Sequence, residues 1–326
     1  MCTAITFGEK NRFFGRNLDL EYTLGETITI TPRHFRFAFL TGQTMESHYA
    51  MIGVAYVRKQ YPLYYDAVNE KGLCIAGLAF EGNAHYAVPS NHSNEVATFE
   101  LIPLILGSCK DVKEAKLLLS ECKITAAAFD EQLPPAQLHW LIADESECIT
   151  VEPIEDGLKV LDNPIGVLTN NPPFGYHLHY LNQFLNLSNK PAHNRFSDSL
   201  LLQPFSKGMG ALGLPGDLSS TSRFVRAAFV KWNSVCSPSE TEQITQFFHV
   251  LSSVEQQRGC SCDENNRYEI TQYTSCCDRS KAIYYYHTYE NSQICAVDLL
   301  KEEISGGRLI TYPMLQQQQI CWQNGQ

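Results

Sequence analysis

The sequence predicts an α+β fold in which helices cover antiparallel β-sheets. Along the 326-residue chain, stretches with strand character are followed by helical stretches and then by strands again. Strands and helices do not alternate strictly, as they would in parallel βαβ units, so the sheets are predicted to be antiparallel. No internal repeat and no low-complexity linker is visible, and we therefore predict one domain over residues 1–326.

The first twenty residues predict a β-hairpin. Residues 2–7 alternate in character, Gly8–Asn11 has the composition of a turn, and residues 12–18 form the predicted return strand. Such a hairpin brings Arg16 and Asp19 back beside the start of the first strand. The sequence thus predicts a cation and a carboxylate close to the N-terminus.

Further strands are predicted from short apolar or alternating runs that are bounded by turn residues. In the first half of the chain they cover residues 27–31, 49–57, 61–67, 73–80, 137–143, 148–153 and 158–161, and residues 166–171 end this series. In the last quarter they cover residues 268–276, 282–289, 294–299 and 308–312.

Helices are predicted where apolar residues recur with helical spacing. They cover residues 98–107, 111–122, 175–187 and 219–232, and the last helix runs from residue 239 to about residue 256. Asp111 is predicted to cap the second helix, with Glu114 three residues on, and Ser239 with Glu242 is predicted to form a capping box. The segment 188–216 is irregular and rich in Gly and Pro.

Composition limits the classes of function. The formal net charge is −10 and the Lys and Arg residues are scattered, which argues against nucleic acid as a partner. No apolar run reaches the ~18 residues of a membrane span and no secretory signal is visible, so we predict a cytoplasmic protein without a membrane partner. In a reducing cytoplasm the 12 cysteines are expected to be mostly buried thiols.

Cys2 is the first candidate for chemistry. Once Met1 is removed, Cys2 carries a thiol and a free α-amino group on one carbon. An α-amino group titrates near ~8 and can act as a general base, which a thiol needs to become a nucleophilic thiolate. The alternative is an ordinary small apolar residue in the first strand.

Two polar motifs far along the chain are further candidates. The side-chain amide of Asn170 or Asn171 can donate to an oxyanion, although both residues could simply end a strand before two prolines. Arg223 and Arg226 lie in one predicted helix, and the alternative for both is surface charge. None of these motifs is specific alone.

Other motifs point less clearly to chemistry. The cysteines of the segment Cys260–Cys277 have spacings that match no zinc template, so no metal site is predicted. His177 and His179 lack the i, i+4 spacing of a helical metal pair and are interpreted as packed or solvent-facing, and no cysteine has the signature of a papain-like Cys–His pair. The glycine-rich segment 210–216 lacks the lysine of a phosphate loop.

Taken in order, the motifs of this chain resemble those of the choloylglycine hydrolase family. The likeness runs from the N-terminus to about Tyr312, which is nearly the whole chain. The segments that carry it are Met1–Thr6, Phe14–Asp19, Ile30–Arg33, Tyr61–Asp66, Asn69–Gly72, Gly166–Pro172, Gly213–Ser219, Ser222–Phe224, Gln272–Cys276 and Ile283–Tyr286.

The resemblance implies an N-terminal-nucleophile hydrolase with a four-layer αββα sandwich. Cys2 would be the nucleophile after removal of the initiating methionine, Asp19 would hold its α-amino group, and Arg16 would favour the thiolate. Asn170 would donate to the oxyanion through its side chain, and Arg223 would stabilise developing charge. The resemblance also implies a homotetramer without a cofactor or metal.

The reaction that the resemblance implies is hydrolysis of the amide bond in glycine- or taurine-conjugated bile acids. The small-molecule partner would be a conjugated bile salt with a rigid apolar steroid. The residues expected to line its pocket are Leu18, Tyr22, Tyr65, Phe129 and Leu133. The last two belong to the unusually apolar loop 125–135, which could instead pack on its own domain.

One position departs from the family pattern. In the segment Ala76–Phe80, bile salt hydrolases usually carry asparagine and penicillin V acylases tend to carry tyrosine where this chain has Ala79. The resemblance assigns the backbone N–H of this position to the oxyanion, and alanine keeps that group. The missing side chain bears on substrate preference and on rate.

Four alternatives stay open. A penicillin V acylase would use the same site with a phenoxyacetyl group in the pocket. An amine N-acyltransferase would pass the acyl group from the thioester to another amine. A degenerate member that only binds bile salts or other anionic amphipaths would not be an enzyme. The last alternative is a cytoplasmic zinc protein built on Cys260–Cys277.

Overall fold

The computed structural model describes residues 1–90 and 92–324. Its helices are α1 (Leu101–Ser108), α2 (Val112–Glu121), α3 (Phe174–Leu181), α4 (Ser220–Asn233) and α5 (Glu240–Ser252). Its strands are β1 (Cys2–Phe7), β2 (Phe13–Leu20), β3 (Thr27–Thr31), β4 (Phe37–Ala38), β5 (Thr44–Met45), β6 (Met51–Arg58), β7 (Tyr61–Asn69), β8 (Cys74–Ala79), β9 (Glu95–Ala97), β10 (Lys123–Thr125), β11 (Leu138–Ala143), β12 (Cys148–Ile154), β13 (Gly157–Asp162), β14 (Val167–Leu168), β15 (Ile270–Asp278), β16 (Ile283–Thr288), β17 (Asn291–Asp298) and β18 (Ile310–Pro313).

Two large sheets form the body of the protein. One has six strands in the order β14-β1-β2-β15-β16-β17, and the other has eight in the order β13-β12-β11-β8-β7-β6-β3-β18. All neighbours in both sheets pair antiparallel, as the sequence predicts. The remaining strands form two short pairs, β4–β5 and β9–β10.

Helices cover the outer face of each sheet. Ile105 of α1 and Val112 of α2 share a buried apolar cluster with Trp140 of the eight-stranded sheet. On the other side, Phe247 of α5 packs edge-on against Phe7 of β1, with ring centroids 6.3 Å apart. Helix α4 contacts β1 and β14 on that same side, and β1 and β2 contact β8 of the facing sheet. The layers therefore follow the order helix, sheet, sheet, helix.

The strand predictions are confirmed, with ends shifted by at most three residues. The strand predicted over 166–171 is confirmed only for β14. It stops at Leu168 because the carbonyl groups of Thr169 and Asn170 accept hydrogen bonds from histidine side chains and not from a neighbouring strand. That exit from the sheet turns Asn170 towards the start of β1.

Some helix predictions need correction. The Asp111 cap is confirmed, since its carboxylate accepts a hydrogen bond from Glu114 N at 2.9 Å. The capping box of Ser239 with Glu242 is wrong, because Glu242 is bound by the backbone and hydroxyl of Ser237 and Ser239 makes no side-chain cap. In residues 1–90 and 92–324, no helix is both long and apolar enough to cross a membrane.

Two helices end earlier than predicted. Helix α3 stops at Leu181, because the Asn182 side chain donates to the carbonyl groups of the preceding turn and a short 3-10 turn follows. Helix α5 stops at Ser252 and does not reach residue 256. The backbone N–H of Gln256 donates to the Thr271 hydroxyl at 2.8 Å in place of a helix carbonyl.

Candidate active site

Cys2 is the first residue of β1, the strand between β14 and β2. Its side chain is buried, with 3% of its surface exposed. In the antiparallel register Cys2 lies opposite Leu18 and Ala4 lies opposite Arg16, so these four side chains point to one side of the sheet. Arg16 donates to carbonyl groups of the eight-stranded sheet, which identifies that side as the gap between the two sheets. The predicted hairpin is confirmed.

The N-terminus continues the pairing of β1 with β2. Met1 N donates to the carbonyl oxygen of Asp19 at 2.9 Å, and Asp19 N donates to the carbonyl oxygen of Met1 at 3.1 Å. The ammonium group of Met1 also forms an ion pair with the buried Glu269. With Met1 in place, the nitrogen of Cys2 is a peptide N–H, and it donates to Asn170 Oδ1 at 2.8 Å.

The side-chain amide of Asn170 is held at both ends. Its oxygen accepts hydrogen bonds from Cys2 N and, at 2.7 Å, from the Arg223 guanidinium. Its nitrogen donates to the carbonyl oxygen of Ala79 at 2.8 Å. The amide nitrogen has two hydrogens, and no residue in the described part of the chain accepts the second. That N–H is free to donate to a substrate next to Cys2.

The backbone of Ala79 faces Asn170. The next residue, Phe80, donates its N–H to Gln137 on the β11 side of the strand at 2.8 Å. Backbone groups of successive strand residues point to opposite edges, so the N–H and C=O of Ala79 both point away from β11. The carbonyl oxygen accepts the Asn170 amide on that edge, and the N–H of Ala79 emerges beside it.

Arg223 is fully buried although it belongs to a helix. Its guanidinium donates to the carbonyl oxygen of Cys2, to Thr3 Oγ1 at 2.7 Å, to Asn170 Oδ1 at 2.7 Å and to the Leu218 carbonyl at 3.0 Å. The pKa of Arg223 is lowered, because the effect of burial is larger than the opposing effect of the nearby Asp19 and Cys2. The surface-charge interpretation of Arg223 is therefore wrong.

Arg226 does not share that position. It is half-buried, and its guanidinium donates to the carbonyl groups of Ser253, Pro215 and Asp217, which tie α4 to the loops around it. Only the first of the two predicted arginines therefore reaches the start of β1.

Arg16 crosses the gap between the sheets. It is fully buried, and its Nη1 donates to the carbonyl groups of Tyr65 on β7 and Gly77 on β8. Burial alone would lower the pKa of Arg16, but the nearby Cys2 thiol, Tyr273, Asp66 and Asp19 together raise it. Nη2 has no protein partner among the described residues, so its two N–H groups are free to donate.

Asp19 is also fully buried, on the opposite face of β2 from Arg16. Its Oδ1 accepts a hydrogen bond from the Thr271 hydroxyl at 2.6 Å, and its Oδ2 has no protein partner among the described residues. Burial raises the pKa of Asp19, and Arg223, the N-terminal amino group, the Thr271 hydroxyl and Arg16 oppose that shift. The free carboxylate oxygen can accept another donor.

Asp66 is a buried carboxylate that the sequence alone does not assign to the site. Asp66 on β7 accepts hydrogen bonds from Tyr273 at 2.6 Å, from Ser275 at 3.1 Å and from Tyr284. Burial raises the pKa of Asp66, and the nearby Arg16 is the largest effect in the other direction. Asp66 lies in one of the segments that carry the family likeness, which is the signal that could have singled it out.

The two faces of the β1–β2 hairpin therefore each carry buried opposite charges. Arg16 lies near Asp66 in the gap between the sheets, and Arg223 lies near Asp19 on the helix side. Buried charges are costly unless they are paired or hydrogen-bonded. Cys2, at the end of the hairpin, is thus buried between two buried cations, Arg16 and Arg223.

Some of the predicted pocket residues lie next to Cys2 or Arg16, and the others are placed by contacts elsewhere. Leu18 and Tyr65 lie next to the site, since Leu18 is opposite Cys2 and the Tyr65 carbonyl binds Arg16. Tyr22 lies two residues beyond β2 and is 49% exposed. Phe129 packs against the rings of Tyr61 and Phe99, with centroid-to-centroid distances of 5.8 and 5.1 Å. Leu133 accepts a hydrogen bond from Phe129 N across the tip of the same loop.

The weaker sequence motifs do not come together as a site. Cys260 and Cys262 are exposed in a loop, whereas Cys276 and Cys277 are buried in β15. In residues 1–90 and 92–324, no three His, Cys, Asp or Glu side chains are grouped so that they could hold a metal ion. A cavity of about 940 Å³ opens at the far end of β1, around Thr6 and Lys231, and Thr6 is about 13 Å along the strand from Cys2.

Comparison with known proteins decides the family. A sequence model of the linear amide C–N hydrolases, choloylglycine hydrolase family, matches residues 2–312, beginning at the cysteine. The chain belongs to the choloylglycine hydrolase family. By that membership it is an amide C–N hydrolase, and the implied N-terminal-nucleophile fold is confirmed.

Its relatives match over nearly their whole length. The chain is 50% identical over 314 residues to the bile salt hydrolase/transferase of Lactiplantibacillus plantarum, covering 96% of this chain and 97% of that protein. It is 35% identical over 318 residues to the bile salt hydrolase/transferase of Clostridium perfringens, covering 96% of each.

Solved structures agree with the fold. A cysteine-to-alanine mutant of the conjugated bile acid hydrolase from Clostridium perfringens has a TM-score of 0.92 at 33% identity, covering 99% of this chain and 100% of that one. The penicillin V acylase from Agrobacterium tumefaciens has a TM-score of 0.76 at 19% identity, covering 96% and 91% of the two chains, which shows a shared fold.

Proposed function

We propose that this protein hydrolyses the amide bond of glycine- or taurine-conjugated bile acids, with Cys2 as the nucleophile. The observation that carries the proposal is the position of Cys2, whose backbone and side chain lie among Asn170, Arg223, Arg16 and Asp19. Relatives named as bile salt hydrolase/transferase supply the substrate class. The products would be the free bile acid and glycine or taurine.

Removal of Met1 would create the catalytic base. The nitrogen of Cys2 then becomes an α-amino group, which can take the proton of its own thiol. Asp19 would hold this group, because its backbone pairs with Met1 directly beside Cys2 and its Oδ2 lacks a partner among the described residues. The cation of Arg16 would stabilise the thiolate through the N–H groups of Nη2.

Acylation would follow from attack of the thiolate sulfur on the amide carbonyl carbon. The C–S bond forms, and the carbonyl oxygen takes up the negative charge of the tetrahedral intermediate. The second N–H of the Asn170 amide and the backbone N–H of Ala79 would donate to this oxyanion. The C–N bond then breaks as the α-ammonium group gives its proton to the leaving amine, and a thioester remains on Cys2.

Deacylation would reverse these roles with water. The α-amino group takes a proton from a water molecule, which attacks the thioester carbonyl at the same oxyanion site. The C–S bond breaks, and the thiol and the free bile acid are restored. Arg223, which contacts the Cys2 carbonyl and Asn170, would keep both groups in position through the two steps.

The first test replaces the nucleophile. Cys2→Ala is expected to lose hydrolysis of glycocholate by at least about 10⁴-fold, since covalent catalysis is removed. Cys276→Ala is the matched control, because Cys276 is a buried strand cysteine of the same sheet. It is expected to keep the activity. Glycocholate hydrolysis by Cys2→Ala would contradict the mechanism, and tight bile salt binding without turnover by the wild type would favour a non-catalytic binder.

Intact mass tests the base independently. Active enzyme is expected to have the mass of the chain without Met1, because only then is the α-amino group on Cys2. A fully active preparation that retains Met1 would contradict the proposed base, even if Cys2 proved essential.

A second substrate class is distinguished by comparing kcat/KM. The fold shared with a penicillin V acylase and the absence of the usual asparagine at Ala79 both make this comparison necessary. We expect glycocholate and taurocholate to be better substrates than penicillin V. A kcat/KM that is higher for penicillin V would assign the protein to that activity instead.

Acyl transfer to amines is the second function that an observation favours. The relatives from Lactiplantibacillus plantarum and Clostridium perfringens are both named hydrolase/transferase, and a thioester can be attacked by an amine as well as by water. Cholate conjugates of a free amino acid are therefore expected when glycocholate is incubated with that amino acid in excess. Mass spectrometry would show the new amide, and Cys2→Ala is the control that should form none.

We propose a homotetramer, and an exposed apolar segment supports it. The irregular segment 188–216 carries Phe196, Leu201 and Phe205, which are 82%, 91% and 89% exposed in the single chain. Apolar surface of this kind marks an interaction site. Light scattering after size exclusion is expected to give four chains for the wild type and fewer when the three residues are changed to serine. A monomeric wild type would contradict the proposal.

We also propose that the protein works in the reducing cytoplasm. All twelve cysteines are free thiols, and none of them forms a disulfide. Fractionation of cells is expected to find the activity in the cytoplasmic fraction. Activity recovered mainly outside the cell would contradict this location.

A further inference from the structure

Two buried histidines that the mechanism does not use hold the backbone of Asn170. His139 comes from β11 and His177 from α3, and both side chains are fully buried. His139 Nε2 lies 2.9 Å from the carbonyl oxygen of Thr169, and His177 Nε2 lies 3.0 Å from that of Asn170. Two consecutive carbonyl groups are thus each bound by a different histidine.

These carbonyl groups need partners from outside the sheet. β14 pairs with β1 only through residues 167 and 168 and is the edge strand of the six-stranded sheet. Thr169 and Asn170 are buried but lie beyond the last ladder pair. A buried carbonyl group without a donor costs about 1–3 kcal/mol. The two histidines therefore supply the hydrogen bonds that allow the chain to leave the sheet at Asn170.

His139 is itself fixed on two sides. Its Nδ1 lies 3.0 Å from Glu152 Oε1, and its ring stacks on Phe80 with centroids 4.3 Å apart and planes 7° apart. Glu152 is fully buried and also accepts hydrogen bonds from the backbone N–H of Phe174, the first residue of α3. The carboxylate thus joins His139 to the helix that carries His177.

His177 is fixed by its neighbour in α4. Its ring stacks on Phe224, with centroids 4.8 Å apart, and Phe224 follows Arg223 in the chain. Burial lowers the pKa of His177, which favours the neutral ring, and the hydrogen bond to Asn170 requires the proton on Nε2. Helices α3 and α4 therefore hold Asn170 together. His177 of α3 binds its backbone carbonyl group, and Arg223 of α4 binds its side chain.

We propose that His139 and His177 are positioning residues that aim the Asn170 amide at the oxyanion. The inference rests on the proposed function, because it gives Asn170 the oxyanion role. An oxyanion donor acts only if it is held within a fraction of an ångström of its productive position. The Asn170 side chain starts from a backbone that leaves the sheet, so the two carbonyl groups decide where it points.

The test separates kcat from KM. His177→Phe keeps a flat ring for stacking on Phe224 but cannot donate, and it is expected to lower kcat for glycocholate by about 10-fold or more with KM changed by less than about 3-fold. His177→Gln retains an N–H donor and is expected to restore most of kcat. The matched control is His179→Phe on the exposed side of the same helix, which should leave kcat unchanged.

A double-mutant cycle distinguishes positioning from a general loss of structure. If His177 acts through Asn170, adding His177→Phe to Asn170→Ala should lower kcat by less than about 3-fold further. Full additivity of the two losses would overturn the inference. If His177→Phe does not fold, Glu152→Gln provides the second variant, with a loss in kcat, an unchanged KM and the same non-additivity expected.

The outcome also separates this inference from the proposed function. If Cys2→Ala still hydrolyses glycocholate, the proposed function fails. If Cys2→Ala and Asn170→Ala are both impaired while His177→Phe and Glu152→Gln have wild-type kcat, the proposed function stands and only the positioning role is overturned.

Discussion

Arg223 donates a hydrogen bond to the backbone carbonyl oxygen of Cys2, although 221 residues separate the two in the chain. The same guanidinium also binds the Asn170 side chain, so one residue of α4 joins the end of β1 to the residue beyond β14. A side chain that holds the proposed nucleophile and oxyanion donor at once should be hard to replace, even by another cation.

Arg223→Lys is expected to lower kcat by about 100-fold or more, because an ammonium group cannot span acceptors that a guanidinium fork reaches together. Arg226→Lys is the matched control, three residues on in the same helix and half-buried. It should change kcat by less than about 3-fold, since Arg226 binds only loop carbonyls. Equal effects of the two substitutions in steady-state assays would contradict a special role for Arg223.

Local patterns were sufficient to predict the hairpin but not its partners. The alternation of residues 2–7 and the turn after Phe7 depend on neighbouring residues, so Arg16 could be placed near Cys2 from the sequence. The contacts from Asn170 and Arg223 span 168 and 221 residues. Without the family resemblance, no spacing rule would have selected these two from the other asparagines and arginines.

Other parts of the site were not predicted because their residues look ordinary in the sequence. Tyr273 and Tyr284 have the pattern of strand aromatics, yet their hydroxyl groups bind the buried Asp66 beside Arg16. His177 was interpreted as a packed or solvent-facing side chain, and only the fold shows which carbonyl group it binds. Burial and hydrogen-bond partners are properties of the tertiary structure, and periodicity carries neither.

Ala79→Asn is expected to raise kcat/KM for glycocholate and taurocholate by about 5-fold or more, because it adds a side-chain donor at a position already bound to Asn170. Ala79 is half-buried at the end of β8, so the larger side chain has room to extend towards the site. Ala296→Asn, at an exposed position of the edge strand β17, is the control and should leave both values unchanged. A decrease for bile salts after Ala79→Asn would show that this pocket requires the smaller residue.

Tyr22→Ala is expected to raise KM for glycocholate by about 5-fold without changing Tm, because an exposed ring can stabilise a steroid but contributes little to the core. Tyr176→Ala makes a close control, since Tyr22 and Tyr176 are both 49% exposed. Only the first should change KM. If neither variant does, Tyr22 does not line the substrate pocket.

Lys231 leads to a prediction about pH and stability at the far end of β1. Its ammonium group donates to Thr6 Oγ1 at 3.0 Å and to the carbonyl groups of Ile165 and Gly166 at 2.6 and 3.1 Å. Burial lowers the pKa of Lys231 from 10.5 to about 8. Below pH 8 both the folded and the unfolded chain carry the proton, and the folded chain bears the cost of burying the charge.

Between pH 8 and 10.5 the unfolded chain binds more protons at Lys231 than the folded chain does. The contribution of Lys231 to the free energy of unfolding therefore rises with pH over this range. The free energy of unfolding of the wild type, relative to Lys231→Met, should therefore increase by about 3 kcal/mol over this range. Urea unfolding of both proteins under reducing conditions measures the difference, and Lys113→Met, exposed on α2, controls for net charge. A difference that falls as pH rises would mean that the three acceptors hold the proton on Lys231 more strongly than burial removes it.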